Sequence, residues 1–242
     1  MAIRPRPAED LPETVHLPRR RPRISVITAT YNQAPFLEGA LRSVLDQDFR
    51  DWEHIVVDDG STDATPDLLA RQAPARLRVF RTPNQGQPAA LNLGLAQARG
   101  ELVAFLDSDD EYCPQHLSLL LKALGDHDFA LGRYRVVNCS QAPRPVIADF
   151  YHPGRTIDLA EVECGTGLLF GRREVFLGVG GFRPVRFSDT DLFNRLKAAG
   201  HSWTRASEPS YRYFFGRIPD NMAVRESRED RLLAASDRSA RG

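Results

Sequence analysis

Cysteine and net charge are both scarce in this chain of 242 residues. The three cysteines, Cys113, Cys139 and Cys164, have no metal-ligand spacing and no obvious disulfide framework, which favours a reducing, cytoplasmic setting. Lysine plus arginine and aspartate plus glutamate each total 32, so the bulk charge gives no support for nucleic-acid binding. We find no apolar run long enough to span a bilayer and no apolar core of a signal peptide. A disulfide-stapled fold and a membrane-spanning fold are therefore both disfavoured.

Composition along the chain predicts one domain between two polar ends. Residues 1–23 are rich in proline and arginine and are predicted to form an N-terminal arm, and residues 225–242 are predicted to form a charged tail. Residues 24–224 suffice for one α/β domain with a sizeable core. The basic cluster Arg19–Arg23 leaves two interpretations open: a solvated leader, or a peripheral contact with anionic lipid at the inner face of the membrane.

The stretch 101–110 joins a buried strand to a cluster of acids. Leu102–Leu106 has the composition of a buried strand, and Asp107, Asp109 and Asp110 follow it directly. Because a buried strand does not tolerate unpaired charges, these carboxylates must lie at its open end, where two of them can converge on one hard cation. The alternative is that residues 108–110 only cap the next helix.

Three strand–helix units precede this stretch. The strands are predicted at Ile24–Thr28, Ile55–Val57 and Leu77–Phe80, and each is followed by a helical pattern. The repetition predicts a doubly wound, mostly parallel α/β sheet flanked by helices. The second strand also ends in acids, Asp58 and Asp59, so both acidic ends are expected at the crevice where such sheets bind ligands.

Four motifs in this order resemble glycosyltransferase family 2. They are Ser-Val-Ile-Thr-Ala-Thr-Tyr-Asn at 25–32, Val-Val-Asp-Asp-Gly-Ser-Thr-Asp at 56–63, the Asn-Gln-Gly and Ala-Leu-Asn-Leu-Gly pair within 84–94, and Phe-Leu-Asp-Ser-Asp-Asp at 105–110. The resemblance runs from Ile24 to about Ser210. It implies a GT-A fold with a small acceptor-side subregion around 138–159, and inverting transfer of a sugar from a nucleotide donor.

The resemblance also implies donor-binding residues. Asp59 matches the acid that accepts a hydrogen bond from a nucleobase imide, usually that of uracil, and Thr30 and Tyr31 match the loop that packs on the same base. Core packing is the alternative role for Tyr31. Asp107 and Asp109 match the Asp-X-Asp motif, in which Asp107 contacts the ribose or, through water, the metal, and Asp109 ligates Mn²⁺ or Mg²⁺ directly.

On the acceptor side, residues 187–193 resemble the family's Glu-Asp-X-Asp-Leu element. Asp189 matches the general base, and Asp191 matches a second acid that positions the base or binds backbone. The alternative is that Ser188 and Asp189 are ordinary caps of a helix predicted at Leu192–Ala199.

The sequence departs from the family pattern at three places. Leu91 stands where an arginine often approaches the donor phosphates, Ser188 replaces the Glu, and Phe214 stands where some relatives supply a histidine to the metal. Arg212 and Arg217 are therefore candidates for contact with the diphosphate. No Gln-X-X-Arg-Trp motif follows, which argues against a processive synthase.

The resemblance thus predicts a non-processive, metal-dependent transferase that uses a nucleotide-diphosphate sugar, most simply a UDP-sugar. Its acceptor hydroxyl is left open among a saccharide, a lipid-linked saccharide, a peptide and a small metabolite. The alternative function is a catalytically inactive module that only binds the nucleotide sugar, because function depends on the site and not on the fold.

Overall fold

The computed structural model of the protein describes residues 21–72, 75–139, 146–148, 156–158 and 164–217. Residues 1–20 of the predicted arm, the whole predicted tail 225–242 and most of the predicted acceptor-side subregion lie outside the described residues. None of the described helices is long and apolar enough to cross a membrane.

Strands and helices alternate through the first half of the chain. The strands are β1 (Ile24–Thr30), β2 (Trp52–Asp58), β3 (Leu77–Arg81), β4 (Leu102–Phe105), β5 (Glu111–Tyr112), β6 (Phe129–Leu131), β7 (Tyr134–Asn138), β8 (Val146–Ala148), β9 (Thr156–Asp158), β10 (Leu169–Arg172), β11 (Trp203–Arg205) and β12 (Tyr211–Phe215). The helices are α1 (Ala34–Leu45), α2 (Thr65–Arg71), α3 (Gln87–Gln97), α4 (His116–Leu124), α5 (Arg173–Gly178) and α6 (Ser188–Ala198).

A central sheet of seven strands has the order β11-β6-β10-β4-β1-β2-β3. All neighbouring strands are parallel except β10, which runs antiparallel to both β4 and β6. The predicted mostly parallel α/β fold is thereby confirmed. The two acid-tipped strands, β2 and β4, lie on either side of β1, so their ends are about 10 Å apart at the usual strand spacing.

Helices cover both faces of this sheet, as the alternation along the strands requires. On one face Val103 and Phe105 of β4 pack with apolar residues of α3, α5 and α6. On the other face Leu102 and Ala104 pack with residues of α1 and α4. Because β4 is buried on both sides, the chain places charge only after this strand has ended.

A second sheet of three strands, in the order β5-β12-β7, lies next to the acidic stretch. Strand β12 runs antiparallel to β5, with Tyr211 opposite Tyr112, and parallel to β7, with Tyr211 opposite Tyr134. Strands β8 and β9 form a separate antiparallel pair. The last described strand is thus joined directly to the residues that follow the acids.

Several predicted element boundaries were wrong. The single strand predicted at Phe129–Val137 is interrupted at residues 132–133, and its halves β6 and β7 belong to different sheets. The strand predicted at Gly165–Phe170 begins with a 3-10 turn at Thr166–Leu168. Helix α6 starts at Ser188 rather than Leu192, directly after Phe187, whose φ of 58° is left-handed. Short apolar runs with flanking glycines do not distinguish these local forms.

Candidate active site

The carboxyl edge of the central sheet gathers the predicted donor-binding residues. Thr30 ends β1 between the two acid-tipped strands, and its buried hydroxyl has no hydrogen-bond partner among the described residues. Tyr31 follows it and is 45% exposed, so the core-packing alternative for this ring is wrong. An unpartnered hydroxyl and an exposed ring at a strand end suit a base-binding surface, although the contact itself stays a prediction.

Asp59 holds the loop that leads into α3. One carboxylate oxygen accepts hydrogen bonds from the Thr82 hydroxyl at 3.2 Å and the Gln85 amide at 2.9 Å, and the other accepts from the Gly86 amide at 2.8 Å. A carboxylate has about four acceptor positions, so three are used within the protein. A nucleobase imide would take the remaining one, and this role of Asp59 also stays a prediction.

The Asp107 carboxylate is held on both oxygens. Oδ1 accepts a hydrogen bond from Gln87 Nε2 at 3.0 Å, and Oδ2 accepts one from the Tyr211 hydroxyl at 3.1 Å. Burial, and then the neighbouring charge of Asp109, raise the pKa of Asp107 to about 7, while the bond from Tyr211 acts in the opposite direction. The residue therefore sits in a fixed orientation in an environment rich in negative charge.

The next two acids are anchored by the C-terminal part of the described chain. Burial raises the pKa of Asp109, partly offset by its own backbone and by Arg217, whose guanidinium donates to the Asp109 carbonyl at 2.8 Å. Asp110 is 1% exposed and accepts a hydrogen bond from the Phe214 amide at 2.9 Å. Its Oδ2 has no partner among the described residues, and burial raises its pKa well above the usual value.

The capping alternative for residues 108–110 is wrong. Helix α4 begins only at His116, Gln115 occupies its N-cap position, and no side chain caps it. The acids belong to the turn between β4 and β5 and not to a helix end. Their clustering therefore has no explanation in helix formation.

This acidic turn fits a divalent cation that a ligand helps to coordinate. Three carboxyl groups, of which Asp110 is buried and Asp107 and Asp109 are half-buried, lie within four residues, and burial raises the pKa of each. In the described part of the chain, no group of three or more acidic, His or Cys side chains could hold a metal ion. One or two carboxylates completed by substrate phosphates and water are a common arrangement for Mg²⁺. Asp107 and Asp109 could supply that number.

Asp189 lies in the first turn of α6. Its Oδ1 accepts a hydrogen bond from the Thr190 amide at 2.7 Å, and the backbone of Thr166 also acts to lower the pKa of this carboxyl group. Burial raises the pKa of Asp189. The capping alternative is not supported, because Phe187 occupies the N-cap position and no side chain caps this helix.

Asp189 also interacts electrostatically with the acidic turn. Its negative charge contributes to the raised pKa of Asp107 and to that of Tyr134, whose phenol is influenced by both carboxylates. The fold therefore brings the predicted base within electrostatic range of the predicted metal-binding turn, despite their distance in sequence.

Asp191 has a different environment. Its carboxylate pairs with Arg195 at 2.8 Å and lies 3.9 Å from Arg183. Arg195 in turn donates to the carbonyl oxygens of Val179 and Gly181, and so fixes the turn before α6. The sequence predicts that Asp191 positions the base or binds backbone. These contacts support such a structural role for Asp191 more than direct participation in the reaction.

The two arginine candidates for the diphosphate share one carboxylate partner. Arg212 pairs with Glu111 at 3.0 Å, and Arg217 approaches the same side chain at 3.6 Å. Arg217 also stacks on Phe214, with its guanidinium carbon 3.5 Å from the ring centroid. Because Arg217 touches the Asp109 backbone and Arg212 does not, Arg217 is the better placed of the two to reach a phosphate at the acidic turn.

Sequence patterns did not reveal the tyrosines beneath the acids. Tyr211 is fully buried, and Tyr134 packs edge-on against it with ring centroids 5.4 Å apart. The hydroxyl end of each tyrosine lies against a glycine, because a larger residue there would overlap the phenol. A Cβ at Gly167 would lie 2.1 Å from the Tyr211 ring, and one at Gly165 would lie 1.8 Å from the Tyr134 hydroxyl. The Gly165-Thr-Gly167 spacing, which is unusual in a strand, was the available signal.

Comparisons with known proteins agree with this architecture. The family model for Glycosyl transferase family 2 matches residues 25–208. A GalNAc(5)-diNAcBac-PP-undecaprenol beta-1,3-glucosyltransferase of Campylobacter jejuni is 42% identical over 105 residues, which are 42% of this chain and 34% of that protein. The curated relatives with the strongest matches are covered over less than half of their own length.

Two solved structures share the fold. S. aureus TarS in complex with UDP-GlcNAc is 22% identical with a TM-score of 0.64, over 79% of this chain and 58% of its own. The mannosyltransferase PcManGT from Pyrobaculum calidifontis, solved with GDP-Man and Mn²⁺, is 25% identical with a TM-score of 0.64, over 97% of this chain and 68% of its own.

Proposed function

The chain belongs to glycosyltransferase family 2, and we propose that it transfers a sugar from a nucleotide-diphosphate donor to an acceptor hydroxyl with inversion at the anomeric carbon. The transfer is non-processive and depends on Mn²⁺ or Mg²⁺. The observation that carries this proposal is the cluster of Asp107, Asp109 and Asp110 directly after β4, together with the charge of Asp189, which helps to raise the pKa of Asp107.

In the proposed reaction Asp189 takes the proton of the acceptor hydroxyl. The oxygen attacks the anomeric carbon as the bond to the diphosphate breaks on the opposite face, so no covalent intermediate with the enzyme is required. A carboxylate whose pKa is raised by burial is a stronger base than an ordinary aspartate, which suits this role. Hydrogen bonds from the Thr190 amide and hydroxyl orient its Oδ1.

Asp107 and Asp109 would hold the cation, and Arg217 would add positive charge at the same turn. The cation held there would supply positive charge to neutralise the departing diphosphate. Thr30, Tyr31 and Asp59 would bind the nucleobase beyond the carboxyl ends of β1 and β2. The free hydroxyl of Thr30 and the exposed ring of Tyr31 support this assignment.

We propose a uridine diphosphate sugar as the donor, because an acceptor-only carboxylate such as Asp59 suits the imide N–H of uracil. Among the structural neighbours, TarS was solved with UDP-GlcNAc and PcManGT with GDP-Man. Guanosine donors therefore belong in the same experiment. We further propose that the protein works in the cytoplasm, with membrane contact through Arg19–Arg23 as an added element.

A donor-hydrolysis screen tests the function without knowledge of the acceptor. UDP-, GDP- and dTDP-sugars are incubated with the protein and Mn²⁺, and release of the nucleoside diphosphate is measured with and without chelator. We expect release from at least one donor and its loss on chelation. Metal-dependent binding of donors without any hydrolysis or transfer to a saccharide mixture would instead support the inactive binding module. Donor turnover that is unaffected by chelator would contradict the metal assignment.

A further inference from the structure

Tyr211 closes a hydrogen-bonded ring on Asp107. Its hydroxyl accepts a hydrogen bond from the Asp107 amide N–H at 3.1 Å and donates one to Asp107 Oδ2, also at 3.1 Å. One oxygen atom therefore bridges the backbone and the side chain of the same acid. Such a ring restricts both side-chain torsions of Asp107, the second of which is otherwise broad for a carboxylate.

The phenol is itself held rigidly. Tyr211 is fully buried, and its ring packs edge-on against Tyr112 and Tyr134 with centroids 5.7 and 5.4 Å away. Gly167 leaves the space for the ring, since a Cβ there would come within 2.1 to 2.3 Å of its outer atoms. The hydroxyl therefore has one position, and the orientation of Asp107 follows from it.

We propose that Tyr211 is a positioning residue that orients the Asp107 carboxylate for its divalent cation. The inference rests on the proposed function. It adds Tyr211, which does not itself contact substrate or metal, to the residues that support the site. It also gives a reason for glycine at position 167, which leaves room for the Tyr211 ring. Outer hydrogen-bond partners of metal-binding carboxylates commonly change metal affinity or activity about 10- to 100-fold when they are removed.

The test is a Tyr211→Phe variant, which keeps the buried ring and removes only the bridging hydroxyl. Calorimetry measures UDP affinity with Mn²⁺ and with chelator, and Mn²⁺ affinity in the presence of UDP. We expect Mn²⁺ to bind the variant at least about 10-fold more weakly, with UDP affinity in chelator unchanged. Circular dichroism checks that the fold is intact.

Tyr112→Phe is the matched control. Tyr112 is also buried and loses a buried hydrogen bond, from its hydroxyl to the Phe105 carbonyl at 2.6 Å, but this hydroxyl is not bonded to Asp107. We expect this variant to lose thermal stability and to keep its Mn²⁺ affinity. An equal loss of Mn²⁺ affinity in both variants would show a general packing effect and overturn the positioning role.

Gly167→Ala tests the position of the Tyr211 hydroxyl through a change outside β12, and it replaces Tyr211→Phe if that variant fails to fold. The added methyl would displace the Tyr211 ring, so Mn²⁺ affinity should fall as well. Gly178→Ala is its control, because a Cβ there meets no atom within 4 Å. Absence of Mn²⁺-dependent UDP binding in the wild-type protein would overturn the metal-dependent uridine donor of the proposed function. If the wild-type protein binds UDP with Mn²⁺ and Tyr211→Phe keeps the wild-type Mn²⁺ affinity, this inference alone is overturned. If only Gly167→Ala folds, an unchanged Mn²⁺ affinity in that variant has the same meaning.

Discussion

The two acids in the first turn of α6, Asp189 and Asp191, are held by different contacts, which fit a chemical role for the first and a supporting role for the second. Asp189 is half-buried and accepts hydrogen bonds from the Thr190 amide and hydroxyl, whereas Asp191 pairs with Arg195. Two acids in one helical turn thus have distinct environments. Substitution of each by asparagine should separate the two roles.

We predict that Asp189→Asn keeps metal-dependent UDP binding and lowers sugar transfer by about 10²-fold or more, because asparagine retains the shape and removes the base. Transfer is measured with the donor found in the hydrolysis screen. Asp191→Asn is the comparison variant: it should retain more transfer but unfold at lower temperature, since the bond to Arg195 is weakened. Normal turnover by Asp189→Asn would remove this residue as the base.

Sequence alone identified the acids but not the groups that hold them. Asp107, Asp109 and Asp189 stand out because each follows or begins a regular element at a family motif. Tyr211 could not be assigned in this way, because its partner lies 104 residues away and no periodicity joins the two. The same holds for Arg217 and the Asp109 carbonyl, 108 residues apart.

At the scale of elements, the turn at residues 180–182 is fastened to α3. The Asn92 side chain donates to the Phe182 carbonyl at 2.7 Å and accepts from the Phe182 amide at 2.8 Å, as expected for an asparagine that bonds loop backbone. Phe182 then packs edge-on against Phe105, the last residue of β4, with centroids 5.1 Å apart. The contact therefore links α3, the turn and the strand that carries the acids.

We predict that Asn92→Ala lowers the free energy of unfolding by about 2 to 3 kcal/mol, because two hydrogen bonds are lost and the Phe182 backbone groups are left unpaired. Urea denaturation measures the change. Asn92→Asp, which keeps the acceptor and loses the donor, should fall between wild type and Asn92→Ala. Equal stability of all three proteins would show that this contact does not support the fold.

The elements themselves were predictable where buried strands alternate with amphipathic helices, as in β1 to β4. After residue 128 the predicted elements exist, but several boundaries were wrong because the strands are short. The apolar residues at 129–131 and 136–137 predict one strand, although β6 and β7 are separate strands in different sheets. Tertiary pairing, and not local propensity, decides such cases.

At the scale of the whole molecule, two buried neutral histidines make stability depend on pH. Burial lowers the pKa of both His54 and His116 to about 3. His116 lies against Tyr112 and Tyr211 and is bonded to the Ser210 hydroxyl at 2.8 Å. Between pH 6.5 and pH 3 the unfolded chain takes up a proton at each histidine and the folded chain does not, so their contribution to stability falls as the pH falls.

We predict that His116→Phe, which keeps the stacking on Tyr112, makes the protein less sensitive to acid. Between pH 7 and pH 5 the wild type should lose about 2 kcal/mol of unfolding free energy relative to the variant. Denaturant unfolding at both pH values gives this difference directly. His127→Gln, at an exposed position, is the control and should follow the wild type. Parallel pH profiles for wild type and His116→Phe would contradict the assignment.

The contacts between β12 and the acidic turn also have a consequence for synthesis on the ribosome. The acids at 107–110 are translated well before Tyr211, Phe214 and Arg217, which bind them across 104 to 108 residues of chain. A nascent chain that has completed the first four strands therefore carries these carboxylates with none of the three partners. If the proposed function is correct, nucleotide binding should arise late and in one step, when the segment 211–217 leaves the exit tunnel and pairs with β5 and β7.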